Sequence, residues 1–198
     1  MTETVLFLPC AAGVEPLLAD EAQRITALDE RDIEPLRGGV RVHGELRTAL
    51  QLNLHSRLAQ RVLLELTWGP YRDEHDLYDL ARRVRWDDWI TPRQTLRVDS
   101  TAQRSPLRSL NFANLRIKDA VCDVMRERCG ERPSVDTRHP ELPLVLHLGP
   151  EQAMLYVDLS GEALFKRGWR EVQGEAPLKE TLAAAMLAAA GWQGRAED

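Results

Sequence analysis

The sequence predicts an α+β protein of two successive α/β units followed by a short C-terminal helix. Three observations carry this. Short aliphatic runs alternate with segments whose apolar residues recur every three or four positions. Gly38-Gly39, Gly69-Pro70 and Gly149-Pro150 punctuate these segments. With 198 residues, 43% hydrophobic and 29% charged, the chain can bury a core and is too mixed for a disordered, collagenous or rod-like protein.

In the first unit, Val5-Leu6-Phe7-Leu8-Pro9-Cys10 is an apolar run that reads as a buried strand. From Gly13 to Leu28, Val14, Leu17, Leu18, Ala22 and Ile25 form one stripe, with Glu15, Asp20 and Glu21 on the wet side, so this segment is an amphipathic helix. Asp32 to Leu36 is a second strand, Gly38-Gly39 a tight turn, and the alternating Val40-Arg41-Val42-His43 a third strand. Glu45 to Leu58 has helical period, with Leu46, Ala49, Leu50, Asn53, Leu54 and Leu58 as its inner stripe. Arg61 to Leu66 closes the unit as a strand. The order β-α-β-β-α-β is the ferredoxin-like arrangement.

Trp68-Gly69-Pro70 breaks the chain. Asp76 to Val84 is a helix with Asp76 as its N-cap, and Trp86 to Trp89 is a short helical turn ended by Pro92. Thr95 to Thr101 alternates as a strand. Asn111 to Cys129 is a long helix with Leu115, Ala120, Val121, Val124 and Met125 inward, stopped by Gly130. Val135-Asp136, Leu144 to Leu148 and Met154 to Leu159 are strands, the last two a hairpin across Gly149-Pro150. Phe165 to Glu175 is a charged connector, and Lys179 to Ala190 is an Ala-rich helix opened by Pro177.

The chemistry visible in these residues is sparse. There is no GxSxG, HExxH, P-loop or GxGxxG. The five histidines are dispersed without ligand spacing, and the three cysteines form neither a CxxC nor an even set, so neither a metal site nor a disulfide framework is expected. No basic leader and no apolar run of membrane-spanning length is present, and the cysteine usage fits a reducing cytoplasm. The net charge of −5 argues against a general nucleic-acid binder. Residues 93 to 118 depart from that balance. They hold Arg93, Arg97, Arg104, Arg108, Arg116 and Lys118 against the single acid Asp99. Arginine forks onto phosphates and stacks on bases, and Phe112 in the same window offers a stacking face. The same residues also read as a solvated loop with Phe112 in the core.

Several stretches resemble a known family. Leu115-Arg116-Ile117-Lys118-Asp119-Ala120-Val121-Cys122-Asp123, followed by Arg132-Pro133-Ser134-Val135-Asp136, resembles the THUMP domain of RNA methyltransferases. Leu155-Tyr156-Val157-Asp158-Leu159-Ser160-Gly161 and Arg167-Gly168-Trp169-Arg170 are similar to that family's exit strand and connector. Ala176-Pro177-Leu178-Lys179-Glu180-Thr181-Leu182-Ala183-Ala184-Ala185, with Gly191-Trp192 after it, resembles the opening helix of a guanine-N2 methyltransferase domain. Ala11-Ala12-Gly13-Val14-Glu15-Pro16-Leu17-Leu18 and Gly38-Gly39-Val40 match the family's ferredoxin-like part. The resemblance spans the chain and is closest to the bacterial 23S rRNA guanine-N2 methyltransferases.

The resemblance implies a ferredoxin-like domain over 1–70, a THUMP domain over 71–160, and over 161–198 a connector with the first helix of a Rossmann-like methyltransferase domain. It implies that S-adenosylmethionine serves the full-length parent through a D-P-x-C-G-S-G-T loop and that an N/D-P-P-Y stretch aligns the base. Neither motif occurs here. The chain is therefore expected to be an N-terminal fragment: the substrate-recognition part of the enzyme, with 23S rRNA as partner, no catalytic residue, no metal, no cofactor and no membrane contact of its own. Arg104, Arg108, Phe112, Arg116 and Lys118 are the expected RNA-binding residues. Arg116 and Lys118 stand two apart on a helix and cannot share a direction, and the match favours Lys118, beside Asp119. The helix 179–190 is expected to have lost its packing partner and to be exposed, mobile or docked in a non-native way, on a neighbouring chain among other places, because its apolar face needs cover. Two readings stay open: a tRNA-modifying THUMP enzyme, and a protein-interaction domain without RNA contact.

Overall fold

The computed structural model describes residues 4–168, 170 and 174–192. Trp169 and residues 171–173 of the connector, and residues 193–198, lie outside them. The chain divides into two compact units, one of residues 4–64 with those described from 159 onward, the other Glu65–Asp158.

The first unit holds β1 (Thr4–Pro9), α1 (Glu15–Thr26), β2 (Ile33–Leu36), β3 (Gly39–Gly44), α2 (Leu46–His55), the start of β4 (Leu63–Pro70) and, from the far end of the chain, α5 (Glu180–Ala189). Its strands lie in the order β2-β3-β1-β4, with every neighbouring pair antiparallel. This is the ferredoxin-like arrangement that the element order demands, because each helix returns the chain to a strand parallel to but not beside the one it left. Leu36 pairs with Gly39, so the hairpin turn is Arg37-Gly38, and Gly38 takes a φ of +88° that suits glycine. Gly39 is already in β3, where a Cβ would collide with the Leu8 carbonyl. Leu6, Leu8, Leu18, Ala22, Val40, Val42 and Leu52 are fully buried between sheet and helices, and Leu164 and Ala185 join that core from the C-terminal segment.

One expectation fails here. The stripe of α2 is rotated. Leu46, Leu50 and Leu54 are 62%, 63% and 66% exposed, while Thr48, Ala49 and Leu52 face inward. The reason is local. Thr48 Oγ1 accepts from Glu45 N at 3.2 Å as part of a capping box, and its side chain rests against Gly44, which has no Cβ to keep it off. That pins the small-residue face to the sheet. Of the alternatives open for α5, docking is the one found, within its own unit. Its Ala184 and Ala185 pack with the core beside α1, so one side is covered. Only the outer side, with Leu182, Met186 and Leu187, is open.

The second unit carries the rest of β4, then α3 (Glu74–Arg82), β5 (Thr95–Ala102), α4 (Leu110–Cys129), β6 (Ser134–Val135), β7 (Leu142–Leu148) and β8 (Gln152–Asp158). β5 lies parallel between β6 and β7, and β7 is antiparallel to β8. Leu77, Leu80, Leu96, Ile117, Val121, Met125, Leu144 and Leu146 are among its fully buried side chains. Trp86 is fully buried and donates from Nε1 to the Ala81 carbonyl at 2.9 Å. Trp68-Gly69-Pro70 does not interrupt the chain as expected but finishes β4. Asp73, not Asp76, caps α3, accepting from His75 N and Asp76 N. Leu115 was expected inward and is 43% exposed; Ala113 and Ile117 take the inner positions of α4.

Candidate nucleic-acid interface

The basic window 103–118 is a loop followed by the first turns of α4. The loop is held at its root. Gln103 N donates to Leu148 O at 2.8 Å. The buried Tyr71 hydroxyl bonds Gly149 O at 2.5 Å and Ser105 Oγ at 2.8 Å, and burial pushes its pKa up, so it stays a neutral hydroxyl. Leu107 N donates to Ser105 Oγ at 3.2 Å. Between these anchors Arg104 sits at φ +56°, a left-handed conformation that costs a residue with a Cβ about 1 kcal/mol or more. Ser109 then starts α4, accepting from Phe112 N at 3.2 Å.

The predicted site residues divide into two sets. Arg104, Arg108 and Phe112 are exposed, Phe112 to 49%. Neither Arg104 nor Arg108 is paired with a carboxylate among the described residues. The first turn of α4 carries no acid, so its positive dipole end adds to their field. Leu110 and Leu115, in the first turns of the same helix, are 38% and 43% exposed. Arg116 and Lys118 are half-buried and share Asp119, at 3.9 and 2.5 Å, so the trio carries a net charge of +1. The Arg116 guanidinium also lies 4.6 Å from the centre of the Tyr78 ring. Tyr78 in turn donates to Asp123 at 2.9 Å, and Arg82 is bidentate to Glu127 at 3.0 and 2.7 Å. Arg116 thus belongs to the network that joins α3 to α4.

The residues that position the loop were not legible. Tyr71 follows Gly69-Pro70 directly, and that position is the one signal it carries in the sequence. Among the described residues no group of three His, Cys, Asp or Glu could hold a metal. No described helix is long and apolar enough to cross a membrane. The C-terminal segment offers a connector and an Ala-rich helix whose first carboxylate, Glu180, is paired with Arg170 at 3.2 Å.

Comparison with known proteins agrees with this layout. Residues 5–63 match the RlmL ferredoxin-like domain, 71–158 the THUMP domain, and 167–197 the RMKL-like methyltransferase domain. The chain is 44% identical over 186 residues to a ribosomal RNA large subunit methyltransferase K/L from Syntrophotalea carbinolica, covering 94% of this chain and 26% of the relative. Against one from Pseudomonas aeruginosa the identity is 45%, over 94% of this chain and 25% of the relative. A solved structure of a predicted N6-adenine-specific DNA methylase from Listeria monocytogenes superposes with a TM-score of 0.85 at 26% identity, covering 97% of this chain and 50% of that one. The chain thus spans about a quarter of the length of the curated relatives it matches. Segments that match a ferredoxin-like domain, a THUMP domain and the start of a methyltransferase domain thus follow one another in this chain, which is similar over 94% of its length to the ribosomal RNA large subunit methyltransferases K/L.

Proposed function

We propose that this chain is the RNA-recognition portion of a 23S rRNA guanine-N2 methyltransferase that uses S-adenosylmethionine, and that it does not methylate by itself. The observation that carries the reading is the loop 103–109. Two arginines with no carboxylate partner among the described residues precede an exposed aromatic ring in the first turn, the positive end, of a 20-residue helix. Such a surface holds phosphates through the guanidinium groups and a splayed base through the ring. Arg104, Arg108 and Phe112 make the principal contacts. Arg116 and Lys118 add the residual charge they keep beside Asp119. The chain's overall −5 does not oppose this, because a local patch does the binding.

The test is titration of the chain against 23S rRNA fragments and a tRNA pool at low and moderate salt, with S-adenosylmethionine binding followed alongside. Salt-sensitive affinity for an rRNA fragment without cofactor affinity is expected. In Arg104→Ala/Arg108→Ala the log–log salt dependence should flatten by about 1.4, two phosphates at roughly 0.7 each. Affinity unchanged in that double variant sinks the assigned surface. Preference for tRNA sinks the assigned substrate.

A further inference from the structure

The connector between the last strand and α5 is bonded along the edge of the first unit. Leu159 N donates to Val62 O at 3.0 Å, Val62 N to Ser160 Oγ at 2.8 Å, and Ser160 Oγ to Asn53 Oδ1 at 2.7 Å. Arg61 Nη1 donates to Gly161 O at 2.8 Å and Leu164 N to Gln60 O at 2.9 Å. The run ends at Arg167. Its Nε donates to Leu164 O at 2.8 Å, Nη1 to Leu54 O at 3.2 Å, and Nη2 to Asn53 O at 2.9 Å and Ser56 O at 3.1 Å. Asn53 and Leu54 are in the last turn of α2, where helix carbonyls have no partner of their own and the dipole end is negative. One guanidinium therefore caps α2 and fixes the connector to it.

Beyond Arg167 the tie continues. Arg170 Nη2 donates to Leu178 O at 2.7 Å and its Nε lies 3.2 Å from Glu180, the first residue of α5. α5 itself touches α1 through Ala184 and Ala185. Toward α2 it is separated by a cavity of about 620 Å³, bordered by Leu54, Leu58, Phe165, Arg167, Leu187 and Trp192. Side-chain packing does not close that gap, so the polar tie carries the orientation there. The segment that matches the methyltransferase domain begins at residue 167.

We infer that Arg167 is a positioning residue: by capping α2 it locks the connector and α5 to the ferredoxin-like unit, and so sets the direction in which the methyltransferase segment leaves that unit. This rests on the reading that the chain is the recognition portion of a methyltransferase. It assigns the orientation of the catalytic part to the ferredoxin-like unit and to one side chain.

The test is hydrogen exchange on the 198-residue chain and on Arg167→Ala and Arg167→Lys. Removing bonds from a charged donor should speed exchange of the α5 amides about tenfold in the Ala variant, with β1 and β3 within twofold of the parent. The Lys variant keeps the charge but not the fork, and should fall between the two. Should the Ala variant not fold, the Lys variant decides by the same comparison. Unchanged α5 exchange overturns the inference. So does a uniform acceleration of all first-unit amides, which marks a general stabiliser. Titration of the same samples with 23S rRNA fragments keeps the two readings apart. A parent chain without rRNA affinity overturns the recognition reading, and only the exchange pattern overturns the clamp.

Discussion

Arg104 combines a strained backbone with a charge that no carboxylate pairs among the described residues, and the two properties make opposite demands. Arg104→Gly relieves the left-handed strain and should leave the fold as stable or up to about 1 kcal/mol more stable, while weakening RNA binding. Urea denaturation and RNA titration on one preparation check both halves; a destabilised glycine variant contradicts the strain argument. Glu15 shows how a side chain on the solvent side of an amphipathic pattern acquires a structural task. Its carboxylate accepts from Gly38 N at 2.9 Å and Gly13 N at 2.6 Å. The Gly38 N–H, with the backbone N–H groups of Glu15 itself and Gly13, holds its pKa below the ordinary 4.5. A depressed carboxyl pKa contributes stability above its ordinary value and loses it as pH falls through the folded-state value. The Glu15→Gln variant should therefore lose less stability than the parent between pH 5 and the acid limit, about as far as urea midpoints can be followed. Equal losses in parent and variant would refute it. Glu21 is the buried counterpart. It accepts from Ser56 Oγ at 2.7 Å and from Arg57 N and Leu58 N at 3.2 and 3.1 Å. Glu21→Ala strands those donors and should cost about 2–4 kcal/mol in unfolding free energy.

At the scale of elements, periodicity located the helices and strands but did not choose between faces. On α2 the leucines at 46, 50 and 54 share one stripe, and a purely apolar count favours them. The buried face is instead the one that can approach the sheet, because Thr48 settles on Gly44. That contact joins two elements and has no trace in the hydropathy of either. The open leucines predict that Leu50→Gln changes stability by less than about 0.5 kcal/mol, which a thermal or urea melt will show. The same limit explains Leu115 on α4. Boundaries followed capping chemistry: Asp73 and Asp76 are equally good caps in sequence, and the one whose carboxylate reaches His75 N and Asp76 N prevails. Of the site, the basic window and Phe112 were legible because charge and aromaticity are local properties. The pairing of Arg116 and Lys118 with Asp119, the Tyr71 anchor and the left-handed Arg104 were not, because each depends on a neighbour or a dihedral fixed by the rest of the fold.

For the whole molecule, two separate cores in one chain predict unfolding that is not a single transition. Calorimetry should give a van't Hoff enthalpy smaller than the calorimetric one; equality of the two would show a single cooperative block. The units also differ in continuity. One is written as an uninterrupted stretch, Glu65–Asp158, while the other needs residues from both ends of the chain. During synthesis the stretch that comes second in sequence therefore has all its residues first. The ferredoxin-like unit must wait, with the core faces that Leu164 and Ala185 cover still open, until nearly the last residue of α5 has left the ribosome. At about 5–20 residues per second, the 125 residues from Leu64 to the end of α5 at Ala189 impose a delay of roughly 6–25 s. The nascent chain thus completes its THUMP unit first, and the body that carries the methyltransferase segment closes behind it.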